Sequence, residues 1–175
     1  MPRCKHCKDK FTPIHFNAKF CMKDECRNVW IETAKAKQWV KEKRERKQNL
    51  ETTQSLMKKA QKVFNEFIRL RDKGLNCISC DKPCKKENAG HYFSSGGHKS
   101  VTFNEDNVHL QCEYCNTFLH GNLIAYQIAI EKRIGGERLL RLHELAHKEY
   151  KPTREELRHL INFYKEKVAA LKKNN

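Results

Sequence analysis

The stretch HLQCEYCNTFLHGN, residues 109 to 122, holds the C-x2-C pair Cys112 and Cys115, then Asn116 directly, then His120 four residues further on. A C-x2-C pair grips one edge of a tetrahedral metal site, and a second pair completes it. Cys77 and Cys80 supply that second pair, so Cys77, Cys80, Cys112 and Cys115 read as one structural Zn2+ site closing a loop of 31 residues. Cys4-x2-Cys7 with Cys21-x4-Cys26 is a weaker set, with spacing that suits a small zinc ribbon or finger. His6 and His15 can compete as ligands there, although the four thiols are complete without them. Cys84, the ninth cysteine, either replaces a neighbour as ligand or stays free. With the thiols given to zinc, His91, Asn107, Asn116 and His120 are left near the second site without a structural task.

The whole chain sets the setting for these groups. Its 175 residues allow one modest domain or two small ones, with a core small enough to need metal cross-links. Thirty-six Lys and Arg against 21 Asp and Glu give a formal charge of +15, which calls for a polyanionic partner, most simply nucleic acid. No apolar run is long enough to span a membrane, and MPRCKHCKDKF lacks the hydrophobic segment of a signal peptide. A cytoplasmic location is expected, where disulfides are rare, so nine cysteines point to metal.

The elements that must position these groups follow from periodicity. Residues 1 to 30 form a Cys-rich head. Residues 31 to 73 have neither Gly nor Pro and read as helical. Spacings of three and four from Leu56 to Leu70 predict an amphipathic second half. The first half, KEKRERKQN, has almost no apolar face and is either an exposed helix or a flexible hinge. NAGHYFSSGGHKS reads as a short strand entering a wide loop, and NLIAYQIAI and ERLLRLHELAHKEY read as helices. Thr153 with Glu156 is a capping box that opens a last helix from about Arg154 to near Lys172. The expected architecture is a small, mainly helical α+β protein. Its parts are a zinc module over 1–30, a basic helical arm over 31–74, a zinc-stabilised core over 75–150 and a C-terminal helix over 151–175.

The stretch from Cys77 to His120 resembles the HNH, or ββα-metal, nucleases in their zinc-stabilised form. More closely, AGHYFSSGGHKSVTFNEDNVHLQCEYCN is similar to the NinG or Rap recombination proteins of lambdoid phages, and the likeness extends over most of the chain. The resemblance implies His91 as general base, at the end of the first strand, an imidazole whose pKa lies near the working pH. It implies Asn107 as the asparagine that fixes base and loop, with Asn104 close enough to compete. Asn116 and His120, expected at i and i+4 on one helical face, would hold a catalytic Mg2+ or Mn2+. The implied activity is hydrolytic cleavage of branched DNA, such as four-way junctions and D-loops, leaving a 5′ phosphate. The implied setting is a phage or prophage protein inside a bacterial host. A homodimer is expected, because cutting both strands needs two sites, with residues 50 to 73 or the tail helices as interface. Recombination proteins are a further class of partner.

One position departs from the pattern. Many HNH enzymes carry an Asp or His metal ligand directly before the base, where this chain has Gly90. Mg2+ prefers oxygen ligands, so Asn88, His98, Glu105 or Asp106 completes the shell, or His91 is itself a ligand, or the site is inactive. The last case describes a zinc-containing DNA-binding accessory protein without catalysis. An RNA-directed protein and a protein-interaction adaptor are further readings. His143 and His147 are also i,i+4, but no acidic partner marks a zinc-peptidase pattern. Trp30, Trp39 and Tyr92 are the aromatics considered for stacking on an unpaired base.

Overall fold

The long run without glycine or proline makes two helices, not one. In the computed structural model, which describes residues 1–173 (for Gln48, the backbone alone), they are α1, Asp24–Asn49, and α2, Thr53–Arg71. Between them Thr52 takes extended backbone, and its hydroxyl accepts the Ser55 N–H at 3.1 Å to cap α2. The chain divides at this point into two units, Met1–Glu51 and Thr52–Asn175.

In the first unit, Cys4, Cys7, Cys21 and Cys26 draw a short head together, with a single bridge between Arg3 and Lys10. Cys26 lies in the first turn of α1, so the helix begins inside the thiol cluster. Beyond Cys26, α1 is exposed almost throughout. The basic run is therefore a solvated helix, not a hinge. Its ends carry Asp24 and Glu25 at the start and Arg46 and Lys47 at the finish, the signs the helix dipole favours.

The second unit is built on α2 and α5, Arg154–Lys173. Leu56, Ala60, Phe64, Phe67 and Ile68 form the buried stripe of α2, and Leu157, Ile161, Tyr164 and Val168 that of α5. The stripes meet, with Phe64 and Tyr164 edge to face at 4.8 Å. The capping box expected at Thr153 is present: the Thr153 N–H and hydroxyl donate to Glu156, whose N–H donates back to Thr153 Oγ1. These apolar stripes cover one another within one chain.

Against this pair lies an antiparallel hairpin of β1, Glu87–His91, and β2, Val108–Cys112, with Gly90 opposite His109 and His91 opposite Val108. A single π turn, Tyr114–Phe118, follows β2; then come α3, Leu123–Ile134, and α4, Gly136–Ala146. Hairpin, thiols and following helices form the HNH-like core expected. Asp72, buried at the end of α2, fixes the hairpin to that helix. It accepts the Leu110 N–H at 2.9 Å and is paired with Arg71, whose guanidinium also donates to the carbonyls of Glu105 and Val108.

His109 beside this pair makes the unit acid-sensitive. Burial, with Arg71 nearby, pushes its imidazole from an ordinary 6.5 down to about 4. Its folded value lies below its unfolded one, so the unfolded chain binds more protons in that interval. Stability is full above pH 6.5 and falls as pH drops toward 4. The loss reaches about 2 kcal/mol at pH 5. Urea midpoints of the parent and His109→Gln at pH 7.5 and 5 check this, the parent losing more on acidification. An equal loss in both chains would remove His109 as the cause.

Candidate active site

Both thiol clusters fit zinc. In each, the four sulfur atoms lie within 4.8 Å of one another. Cys7 and Cys21 sulfurs stand 3.6 Å apart, Cys80 and Cys112 sulfurs 3.9 Å. A tetrahedron of Zn–S bonds of about 2.3 Å has edges of about 3.8 Å. The thiols also polarise within each set. Burial raises the Cys4 thiol, but backbone N–H groups of Cys21, Cys7 and His6 outweigh it and bring it to about 6; Cys77 is lowered likewise to about 7. Burial pushes Cys26 and Cys115 up to about 12. Four such sulfurs ionise together only around a cation, which is the chemistry of a structural zinc. Cys84 lies outside the second set, and burial pushes its thiol up to about 12.

The second set brackets the hairpin. Cys112 is the last residue of β2, and the Ile78 N–H between Cys77 and Cys80 donates to the Leu110 carbonyl at 3.0 Å. His91, half-buried, ends β1 and lies 3.2 Å from the Thr102 carbonyl through Nε2. A carbonyl only accepts, so Nε2 carries the proton and the ring's lone pair sits on Nδ1. Burial lowers the His91 pKa, outweighing the bonds to Thr102 and Ala89, and keeps the ring neutral. Asn107, fully buried, staples the loop after β1. Its Oδ1 accepts the Phe93 N–H at 2.7 Å, and its Nδ2 donates to the carbonyls of Phe93 and Val101. Asn104 is taken up locally, accepting the Asp106 N–H.

Asn116 and His120 do not share a helix. The π turn holds Asn116 and ends at Phe118; His120 lies beyond it, exposed, with φ +48°. Gly121 at +93° and Asn122 at +44° continue the left-handed backbone. Two of these three residues carry side chains, so the turn stores strain, about 1–2 kcal/mol for each. Asn122 does not cap α3 with its side chain; its Nδ2 donates to the Cys115 sulfur at 3.6 Å.

Gln111 was not singled out from the sequence, yet it joins these parts. It is fully buried, and its Nε2 donates to Ser79 Oγ at 2.7 Å and to the Gly121 carbonyl at 2.6 Å. Its Oε1 is buried without a hydrogen-bond partner among the described residues. That oxygen lies over Gly90: a Cβ built there would stand 2.8 Å from the Gln111 Cβ and closer still to Oε1. The Gln111 carboxamide thus lies against the residue before His91 and is bonded to the residue after His120. Tyr126 adds a second tie, donating to the Gly90 carbonyl at 2.9 Å. Its one hydroxyl proton is used there, so His109 Nδ1, at 3.3 Å, donates to the Tyr126 oxygen. The one sequence signal for Gln111 was a polar residue at an inward strand position beside a cysteine.

The other residues considered for the metal shell have engagements of their own. Glu105 pairs with Lys167 at 2.6 Å and Asp106 with Arg138. His98 Nδ1 bonds to the Ala146 carbonyl, while for Asn88 the pairing with Gln111 across the hairpin is one of backbone register. Among the described residues, the groups of three or more His, Cys, Asp or Glu close enough to share a metal are the two cysteine sets. No helix among them is long and apolar enough to cross a membrane.

Comparison with known proteins gives the family. The family model described as "Bacteriophage Lambda NinG protein" matches residues 1–174. The chain belongs to the NinG family. It is similar to protein ninG of Escherichia phage 933W, at 30% identity over 97% of this chain and 93% of that protein. To protein ninG of Escherichia phage lambda it is 37% identical over 66% of this chain and 57% of that protein, and to that of Salmonella phage P22 36% identical over the same shares. No solved structure matches this NinG-family chain.

Proposed function

We propose that this NinG-family chain is a metal-dependent endonuclease that cuts branched DNA recombination intermediates, such as four-way junctions and D-loops. The observation that carries the reading is His91: a neutral imidazole at the end of β1, its Nε2–H fixed on a carbonyl and its lone pair on Nδ1. Nδ1 takes the proton from the water that attacks phosphorus. Asn107 holds the loop carrying that ring. A divalent cation, Mg2+ or Mn2+, would be held by Asn116, His120 and His91, the ligands the HNH resemblance implies. When bound, such a cation stabilises charge on the phosphate and on the leaving 3′ oxygen, and the product keeps a 5′ phosphate. The zinc ions are structural. The charge of +15 draws the DNA backbone, and binding weakens steeply with salt. A second copy would supply the second cut.

The test uses end-labelled four-way junctions and matched linear duplexes, with zinc-loaded chain and Mg2+ or Mn2+. The parent cuts the junction preferentially, and His91→Ala, still holding two zinc ions, cuts about 10²–10⁴-fold more slowly. Equal cutting of the linear duplex removes the branch selectivity. Gly90, with no ligand side chain, favours the second reading, a DNA-binding accessory protein; tight junction binding without cleavage in either metal would establish that reading in its place.

A further inference from the structure

We propose that the groove between the thiol head and the first half of α1 binds an unpaired nucleotide, its base against Trp30 and its phosphates on Lys19, Arg27 and Lys37. This inference rests on the reading of the chain as DNA-binding, and goes beyond it by naming the feature of a branch that is held. The groove encloses about 590 Å³ between Phe11, Ile14, Phe20 and Met22 on the head and Trp30 on the helix. That lies within the roughly 300–1,000 Å³ of small-ligand clefts, room enough for a nucleotide. Lys19, Arg27 and Lys37 line it, and no lining residue is acidic. Arg27 also pairs with Asp24 at its exposed rim.

The helix explains the alignment. Arg27, Trp30, Ala34 and Lys37 recur at intervals of three and four, so they share one face of α1. A cation therefore lies on each side of the indole along the helix. This is the pattern of single-strand readers, an aromatic platform within a basic track. The structure also separates the three aromatics raised by the sequence. Tyr92 packs among Phe93, Tyr126 and His143. Trp39 already carries Lys43 Nζ over its ring at 4.8 Å. Trp30 is half-exposed and faces the groove. Bases within a duplex have their faces stacked away, so the groove takes only a base that has left the stack, as at a branch point.

The experiment uses the full zinc-loaded chain without Mg2+ or Mn2+, so that nothing is cut. A duplex with one unpaired 2-aminopurine nucleotide is compared with a fully paired duplex of equal length. The parent binds the unpaired-base DNA more tightly and changes the 2-aminopurine fluorescence. Trp30→Ala weakens that binding by about 5- to 150-fold, the range of one lost stack, and leaves paired-duplex binding unchanged. Trp30→Phe retains most of the preference, which guards against a variant that merely misfolds. A Trp30→Ala chain with two zinc ions and an undiminished preference overturns the proposal, as does equal loss for both DNAs. Absence of any DNA binding by the parent overturns the DNA reading itself.

Discussion

With serine at position 115, the chain holds one zinc ion, not two, and its hairpin is lost. Cys115 is buried, and its sulfur lies within 4.8 Å of the other three in its set. Structural zinc contributes about 10–16 kcal/mol to small zinc domains. A whole domain is stable by only about 5–15 kcal/mol. The hairpin has two five-residue strands, too little to stand alone in water. The expected result for Cys115→Ser is therefore loss of cooperative melting in the 77–146 region. The α2–α5 pair, whose contacts are aromatic and aliphatic, keeps much of the helical signal. Zinc content by atomic absorption and amide hydrogen exchange read both effects. Cys84→Ser is the control: it keeps two zinc ions and the parent melting curve, since Cys84 lies outside the set. Two zinc ions and normal exchange in Cys115→Ser would refute the assignment of the ligands.

The second large effect lies at Gly90. Placing aspartate there, to supply the ligand that many HNH enzymes carry, is expected to destabilise the chain by about 1–3 kcal/mol and to abolish the proposed cleavage. The new Cβ would stand 2.8 Å from the Gln111 Cβ, inside any normal contact, and the Gln111 carboxamide occupies the space beyond it. Gly90→Asp combined with Gln111→Gly removes both obstructions. The pair is therefore non-additive: the double variant is more stable than the sum of the two losses predicts, because the clash is absent. Urea midpoints of the four chains in the cycle measure the coupling. Full stability and faster cutting in Gly90→Asp alone would mean that Gln111 gives way and that the Gly90 position is only a lost ligand.

Much of this architecture was legible because it is written in local spacing. The four-thiol sets, the stripes of α2 and α5 and the Thr153–Glu156 box each depend on residues a few positions apart, or on a residue type with few other uses. The break at Thr52 was missed since it contains neither Gly nor Pro, although a threonine before an apolar-periodic run is a helix-start signal. His120 was expected on a helix from its distance to Asn116; the backbone turns left-handed before reaching it, at residues whose identities allow but do not demand it. Arg71–Asp72 and Gln111 were invisible for another reason. Each acts across 30 or more residues, at a register that exists only after the hairpin has docked.

The turn from His120 to Asn122 is coupled to the second cysteine set. It is strained, and two of its anchors reach the zinc site: the Asn122 amide on the Cys115 sulfur, and the Gln111 amide shared between Gly121 and Ser79. Left-handed backbone relaxes when nothing holds it, so closing the four thiols on an ion would help to set His120 in its place. A metal-free chain is therefore expected to keep its basic helix while the turn at His120 is unset.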